Sequence, residues 1–542
     1  MIRIQQIKVP IEATTEDLKK AAAKVIKVNP SDITSLSIFR KSIDSRKKDN
    51  VQFVYAVDVS VNGNEKKILK RANKNRVMES KFYKYEPVEN KRASAFSPVI
   101  VGFGPAGMFS ALILAEAGLK PIVIERGHDV DKRTEDVNNF WLTGNLNTNS
   151  NIQFGEGGAG TFSDGKLTTG IKDKRQEKVY RDFVRFGAPE DITYSNYPHI
   201  GTDRLKKVVK NIREEVIKLG GEVHFGCTVT DLIIVNHFIH GVTIKDEKGN
   251  KSDIETDTVI LAPGHSARDT YEYLYETGIT LLQKPFSVGT RIEHPREFID
   301  NAQYGPFAGH PALGAANYKM ACHPPNGRGA YTFCMCPGGT VVNASSEENR
   351  ICVNGMSELA RDKENSNAAI LVGISPSQFP TSHPLSGMHL QREIESNAFI
   401  AGGKTYAAPA QLLGDFLNNT KSTKMGSVKP SCPTGVEPSD IRLVLPKQVT
   451  DTIAPALLKM DKMVKGFALP DAVLTAPEAR SSAPVRILRD DFYEAMQGEY
   501  PVGGLYPCGE GAGYAGGIVS AAVDGIRVAE AILTDEHSFE PV

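Results

Sequence analysis

The sequence has no run approaching the ~18 apolar residues that cross a bilayer. Its first twenty residues, MIRIQQIKVPIEATTEDLKK, lack the apolar stretch of a secretory leader. Membrane-spanning and secreted classes are therefore not expected, and the cytoplasm is the expected location. Cysteine is sparse: there are seven, scattered and odd in number. That is no disulfide framework and fits reduced thiols. No Cys/His set has zinc spacing, since His323 merely follows Cys322, so no metal is expected. Net charge is absent as well, with 64 Lys+Arg against 64 Asp+Glu. The balance hides an asymmetry. Residues 1–95 hold 21 basic and 11 acidic residues, a net of +10, so the remainder carries −10. A basic module on an acidic body reads as a contact between the two, an anionic partner, or a solvated surface. Repeats and low-complexity tracts are missing too, and a length of 542 residues then calls for about two to four domains.

What is present divides the chain. Residues 1–92 read as a small basic α/β unit. Ile2–Val9 alternates as a strand, Thr15–Ile26 has helical spacing behind a Thr-Thr-Glu-Asp cap, and Ser35–Arg40 and Val51–Val61 read as further strands. Lys41–Asn50 reads as a polar, basic loop. From Ser97 the pattern is strand, glycine turn, helix, strand. An amphipathic helix over 203–219 and a β-rich stretch follow. Residues 279–470 are rich in Gly, Pro, Asn and His with few long periodic runs, and read as an inserted α+β cap or substrate domain. The nucleotide-binding pattern returns over 471–542. The predicted class is α/β: a Rossmann-like domain over 96–278 and 471–542, the insert, and the small N-terminal unit.

The turn Gly102-x-Gly104-x-x-Gly107 lies between the strand Val99–Val101 and a helix starting near Pro105. Gly102 permits the tight turn, Gly104 lets the backbone approach a pyrophosphate, and Gly107 lets the helix pack close to the sheet. Pro105 and Ala106 open the helix, whose N–H groups and dipole suit a phosphate. Glu125 ends the next strand, 18 residues past Gly107. There a carboxylate accepts ribose hydroxyls and repels a 2′-phosphate, which favours FAD over NADP.

These residues and several longer stretches carry a resemblance. VGFGPAGMFSAL, FGEGGAGTFSDGKL, PFSVGTRIEHP, YTFCMCPGG, APAQLLGDF and GLYPCGEGAGYAGGIVSAA, with KSIDSRKKDNVQFVYAVDV near the N-terminus, resemble the glutathione-reductase-like FAD flavoproteins. Within that fold they are similar to a family of uncharacterised FAD-dependent dehydrogenases, over nearly the full length. The resemblance implies that Glu125 binds the adenosine ribose and Arg126 lies near the adenine. It implies that Gly157, Gly158, Thr161, Ser163 and Asp164 run beside the pyrophosphate and ring. Val229 would pair with the adenine edge, and Ala262 and Gly264 would form a turn where Pro263 replaces the usual Thr. Gly509 and Glu510 would meet the ribityl chain, with Gly516, Gly517 and Ile518 opening a helix toward the flavin pyrimidine. No covalent attachment motif is present, so the FAD is expected to be non-covalent.

For chemistry, Arg291 and His294 on the strand-like FSVGTRIEHP are the candidates, Arg291 as a clamp for an anionic group and His294 as a proton carrier. Cys334-Met-Cys336 reads as a pair of buried structural thiols. No second GxGxxG occurs between 270 and 470, so hydride is expected from a transiently bound NAD(P)H or from the substrate itself. The leading expectation is an FAD-dependent oxidoreductase acting on a small molecule between the FAD domain and the insert. An FAD-dependent RNA-modifying enzyme gripping nucleic acid with the basic N-terminal unit, and a non-enzymatic flavin-binding protein, are the alternatives.

Overall fold

Three short apolar strands, Val99–Val101, Ile122–Ile124 and Val259–Leu261, are hydrophobic throughout, as strands covered on both faces must be. In the computed structural model, which describes residues 1–92, 94–324 and 327–535, they form the centre of a five-stranded parallel sheet. Its order is Leu505–Pro507, Val259–Leu261, Val99–Val101, Ile122–Ile124, Glu222–His224. The outer strand Leu505–Pro507 arrives from the far end of the sequence, as the returning glycine-rich pattern predicts. A three-stranded antiparallel sheet, Thr228–Val235, Phe238–Lys245 and Lys251–Glu255, accounts for the β-rich stretch.

Helices Pro105–Glu116 and Ile518–Thr534 pack against each other. Gly525 permits the close approach: a Cβ there would sit 2.2 Å from the Ala106 carbonyl oxygen. Ser110 Oγ donates to the Gly525 carbonyl at 3.1 Å and to Ala106 at 2.9 Å. The two helices, whose first residues lie 413 positions apart in sequence, are thus neighbours in the fold.

The insert is built on a seven-stranded mixed sheet with Phe286–Pro295 near its centre, between Asn365–Ile374 and Val473–Glu478. This corrects the expected boundary. Val473–Glu478 was assigned to the returning FAD segment 471–542, but it pairs with Phe286–Pro295 and Ala408–Leu412 and belongs to the insert. The exits from the unit with the parallel sheet lie side by side, because Leu281–Gln283 pairs antiparallel with Val485–Ile487. The insert also contains the long helices Ser386–Ala401 and Lys447–Met463, which the expectation of few periodic runs did not include.

The N-terminal unit is a four-stranded antiparallel sheet, ordered Ile33–Asp44, Gln52–Val61, Ile2–Pro10, Val77–Glu79. Helix Thr15–Ile26 packs on it behind a Thr14–Asp17 capping box. The strand Ile33–Asp44 runs into the segment expected to be a basic loop. Some of the basic residues are engaged within the molecule. Arg3 pairs with Asp58, Arg40 donates to Asn196, and Lys48 Nζ donates to the Gln303 carbonyl at 2.6 Å. Among the described residues no helix is long and apolar enough to cross a membrane, and no group of three or more His, Cys, Asp or Glu is placed to hold a metal ion.

Candidate functional site

The glycine turn is fixed by sterics. A Cβ on Gly102, at φ +97°, would lie 2.3 Å from the Ala262 carbonyl oxygen, and one on Gly107 would lie 2.0 Å from the Gly102 carbonyl. Gly104 differs: its Cβ would meet only the Gly158 Cα, at 3.8 Å. Nothing in the protein fills the space before it. Gly104 is the N-cap of helix Pro105–Glu116, and Gly517 is the N-cap of helix Ile518–Thr534. Neither supplies a side-chain cap. Both helix starts open into one cavity of about 530 Å³, with Gly102, Pro105, Ala106, Gly158, Gly516 and Ile518 on the same wall.

Glu125 and Arg126 line a second wall with Val229. The Glu125 carboxylate is already engaged: it accepts the N–H of Phe103 at 2.8 Å and those of Gly127 and Gly155 at 2.9 Å. It therefore holds the glycine turn and the following loop together, with about one lone-pair direction left for a ribose hydroxyl. Arg126 pairs with Asp269 at 3.0 Å and lies over the Phe154 ring, 4.5 Å from its centroid.

The third wall comes from the loop after Gly158 and from the insert. Ser163 and Asp164 of the loop and Asn354 and Glu478 of the insert line the cavity, as do Gly264 and Glu510. Ser163 Oγ donates to the Gly160 carbonyl. Asp164 is fully buried and accepts from Arg361 Nε at 2.9 Å and Nη2 at 2.6 Å, with Lys166 Nζ at 2.9 Å and Ser357 beside it. Its carboxylate ties the loop to the insert and is held far below the usual range; burial opposes this, and Lys166 and Arg361 outweigh burial. Burial pushes Glu510 up to about 7, against Lys284.

Five expected contacts lie behind the walls. Gly107 packs on Gly102. The Gly157 N–H donates to the Phe103 carbonyl at 2.8 Å, and Thr161 donates to the Glu156 carbonyl. The Ala262 N–H bonds to Val101 and that of Gly509 to Asp524. They shape the cavity without facing it.

The two catalytic candidates are placed differently from expectation. Arg291 is fully buried and does not line the cavity. Nη1 donates to Glu478 Oε2 at 2.8 Å and Nη2 to the Cys334 carbonyl at 2.6 Å. Its charge is answered inside the protein, and Glu478 and Cys334 reach the cavity in its place. Gly355 makes room for it, since a Cβ there would lie 2.2 Å from Nη2. His294 is also fully buried, bonded through Nε2 to the Phe467 carbonyl at 2.7 Å and packed between Phe298 and Phe467. Burial drives it down to about 4, so it is a neutral core residue.

Sequence reasoning missed a buried ion cluster between the units. Arg480 of the insert and Arg268 of the FAD unit both grip Glu395, at 2.7–2.8 Å. Arg480 reaches the cavity and also donates to Ser266 and Ser346. Cys334 was missed as well: read as a buried structural thiol, it is half-buried and lines the cavity, while Cys336 is buried behind it.

Residues 285–481 match a family model described as FAD-dependent protein, C-terminal domain-like, and residues 1–60 match a domain of unknown function. An uncharacterised protein of Clostridium beijerinckii is 46% identical over 534 residues, covering 98% of each chain. The chain belongs to the same family as that protein. Among solved structures, a flavin-dependent brominase triple mutant is similar at 11% identity, with 81% of this chain and 80% of that one covered and a TM-score of 0.37. A geranylgeranyl bacteriochlorophyll reductase-like protein of Thermoplasma acidophilum is similar at 12% identity, with 81% and 78% covered and a TM-score of 0.35.

Proposed function

We propose that the cavity binds FAD non-covalently and that the protein is an FAD-dependent oxidoreductase acting on a small molecule between the FAD unit and the insert. One observation carries this reading. Two helices from opposite ends of the chain, each begun by an uncapped glycine, open into a single cavity that also holds Glu125. Helix starts of this kind attract phosphate oxygens through unpaired N–H groups and the helix dipole. FAD bound there supplies two-electron redox chemistry. The remaining lone pair of Glu125 receives an adenosine ribose hydroxyl, and Arg126 covers the adenine side. Glu510 meets the ribityl hydroxyls. Phe333, Asn354 and Glu478 of the insert form a wall of the same cavity and exclude water from it. Lys166 and Arg480 place positive charge along the same wall. NAD(P)H is proposed as a transient reductant.

Purified protein is expected to be yellow, to release all its colour on acid precipitation, and to yield FAD rather than FMN on chromatography. Protein that is colourless and does not take up added FAD overturns the proposal. Anaerobic mixing with NADH, NADPH and a metabolite panel then identifies the reductant by loss of flavin absorbance.

A further inference from the structure

Cys334 sits on the strand Ala330–Cys336, which ends in a bulge: its pairing with the neighbouring strand jumps from Phe333 opposite Ala369 to Cys336 opposite Asn367. Three steps on one side match two on the other. Cys334 takes up the extra length at φ +40°. That left-handed conformation is strained for a non-glycine residue, and such strain gathers at working sites. Cys334 lines the cavity there, while Cys336 is fully buried and does not. Cys336 Sγ donates to the Cys334 carbonyl at 3.3 Å. The two thiol side chains also lie within hydrogen-bonding reach of each other.

Two cations attend the pair. Lys166 Nζ lies 3.9 Å and Arg291 Nη2 3.8 Å from Cys336 Sγ. Arg291 also holds the Cys334 carbonyl at 2.6 Å. The other cysteines do not share this setting. Cys322, Cys352, Cys432 and Cys508 are buried, and Cys227 lines the wall shared with Val229.

We infer that Cys334 and Cys336 form a redox dithiol that exchanges two electrons with the flavin, with Cys334 as the sulfur facing it. The inference rests on the FAD reading above. Written in one direction, the Cys334 thiolate and the Cys336 thiol join in an S–S bond. The S–H bond of Cys336 breaks. The flavin takes the two electrons and that one proton to become the reduced anion. Charge and atoms balance with no further reactant, and the reverse step reduces the disulfide. The thiol of Cys336, with Lys166 and Arg291, favours the ionised form of Cys334, while Cys336 is held protonated by its partner and by burial. That is the division of roles a dithiol needs to start exchange. Arg291, expected to clamp substrate, is a positioning residue for this pair.

The test uses the FAD-loaded protein. Anaerobic dithionite titration of the air-oxidised wild type is expected to take up about four electrons per flavin, and Cys334→Ser and Cys336→Ser about two each. Alkylation with mass spectrometry, independent of turnover, is expected to find residues 334 and 336 linked before reduction and both alkylated after it. In the reduced protein Cys334 reacts at least tenfold faster than Cys227 at neutral pH. Yellow wild-type protein that takes up only about two electrons, with both cysteines alkylated before reduction, overturns this inference and leaves the FAD reading standing. Protein that binds no flavin overturns both.

Discussion

Gly104 and Gly107 stand three residues apart in one motif and answer to different forces. At Gly104 the protein leaves the Cβ position open, with only the Gly158 Cα at 3.8 Å; at Gly107 it presses the Gly102 carbonyl against it at 2.0 Å. Gly104→Val is therefore expected to fold with an unliganded stability within about 1 kcal/mol of wild type, yet lose at least tenfold in FAD affinity, ~1.4 kcal/mol. Gly107→Ala is expected to lose roughly 3 kcal/mol or more of stability whether or not flavin is present. Urea denaturation and flavin content measure the two effects separately, and fully loaded Gly104→Val protein contradicts the placement of the pyrophosphate. Glu510 adds a pH dependence. Its carboxyl rises from an ordinary 4.5 to about 7 through burial, against Lys284. A raised carboxyl contributes stability that is full below 4.5 and lost as pH rises through about 7. Unliganded Glu510→Gln should therefore gain on unliganded wild type over that window and hold a constant lead above it. A lead that grows as pH falls shows the sign to be wrong.

Single strands and helices decide how the insert meets the FAD unit. Helix Ser386–Ala401 carries Glu395 into a fully buried position between Arg268 and Arg480. Removing one partner of a buried ion cluster leaves charge uncompensated and costs about 3–5 kcal/mol. Glu395→Ala is expected to lose about that much in denaturant unfolding; a loss well below 1 kcal/mol contradicts the clamp. Burial works against the Glu395 carboxylate, but the two guanidiniums prevail and hold it down to about 2. Its contribution is therefore present above 4.5 and lost as pH falls through about 2. At this scale the sequence was read unevenly. Phe286–Pro295 was legible as a strand because the β-formers Phe286, Val288, Thr290 and Ile292 alternate along it. Helix Lys447–Met463 was not, because Pro455 interrupts it in sequence while Val449, Ile453, Ala456 and Met460 still share its buried face. Val473–Glu478 fell on the wrong side of the boundary because all six of its residues are buried and no polar alternation marks which sheet it joins.

Across the whole molecule, one cavity is walled by both large units, so the ligand and the interface between units are coupled. Added FAD is expected to stabilise the full chain in a single unfolding transition, by about 2.7 kcal/mol at a free concentration one hundred times its Kd. Two transitions, with only one shifted by FAD, contradict a cavity shared in this way. The N-terminal unit joins the same body through Arg40 on Asn196 and Lys48 on the Gln303 carbonyl, which is where part of its basic surplus is spent. The sequence by itself determined the glycine turn, the acid at Glu125, the parallel strands around them and the returning helix at Ile518. Those depend on sterics and periodicity within a few residues, which composition and spacing expose. Only the tertiary structure decided that Arg291 answers Glu478, 187 residues away, that Glu395 bridges two units, and that Cys334 faces the cavity. Such partners are set by how strands and loops distant in sequence pack together, and no local pattern encodes that.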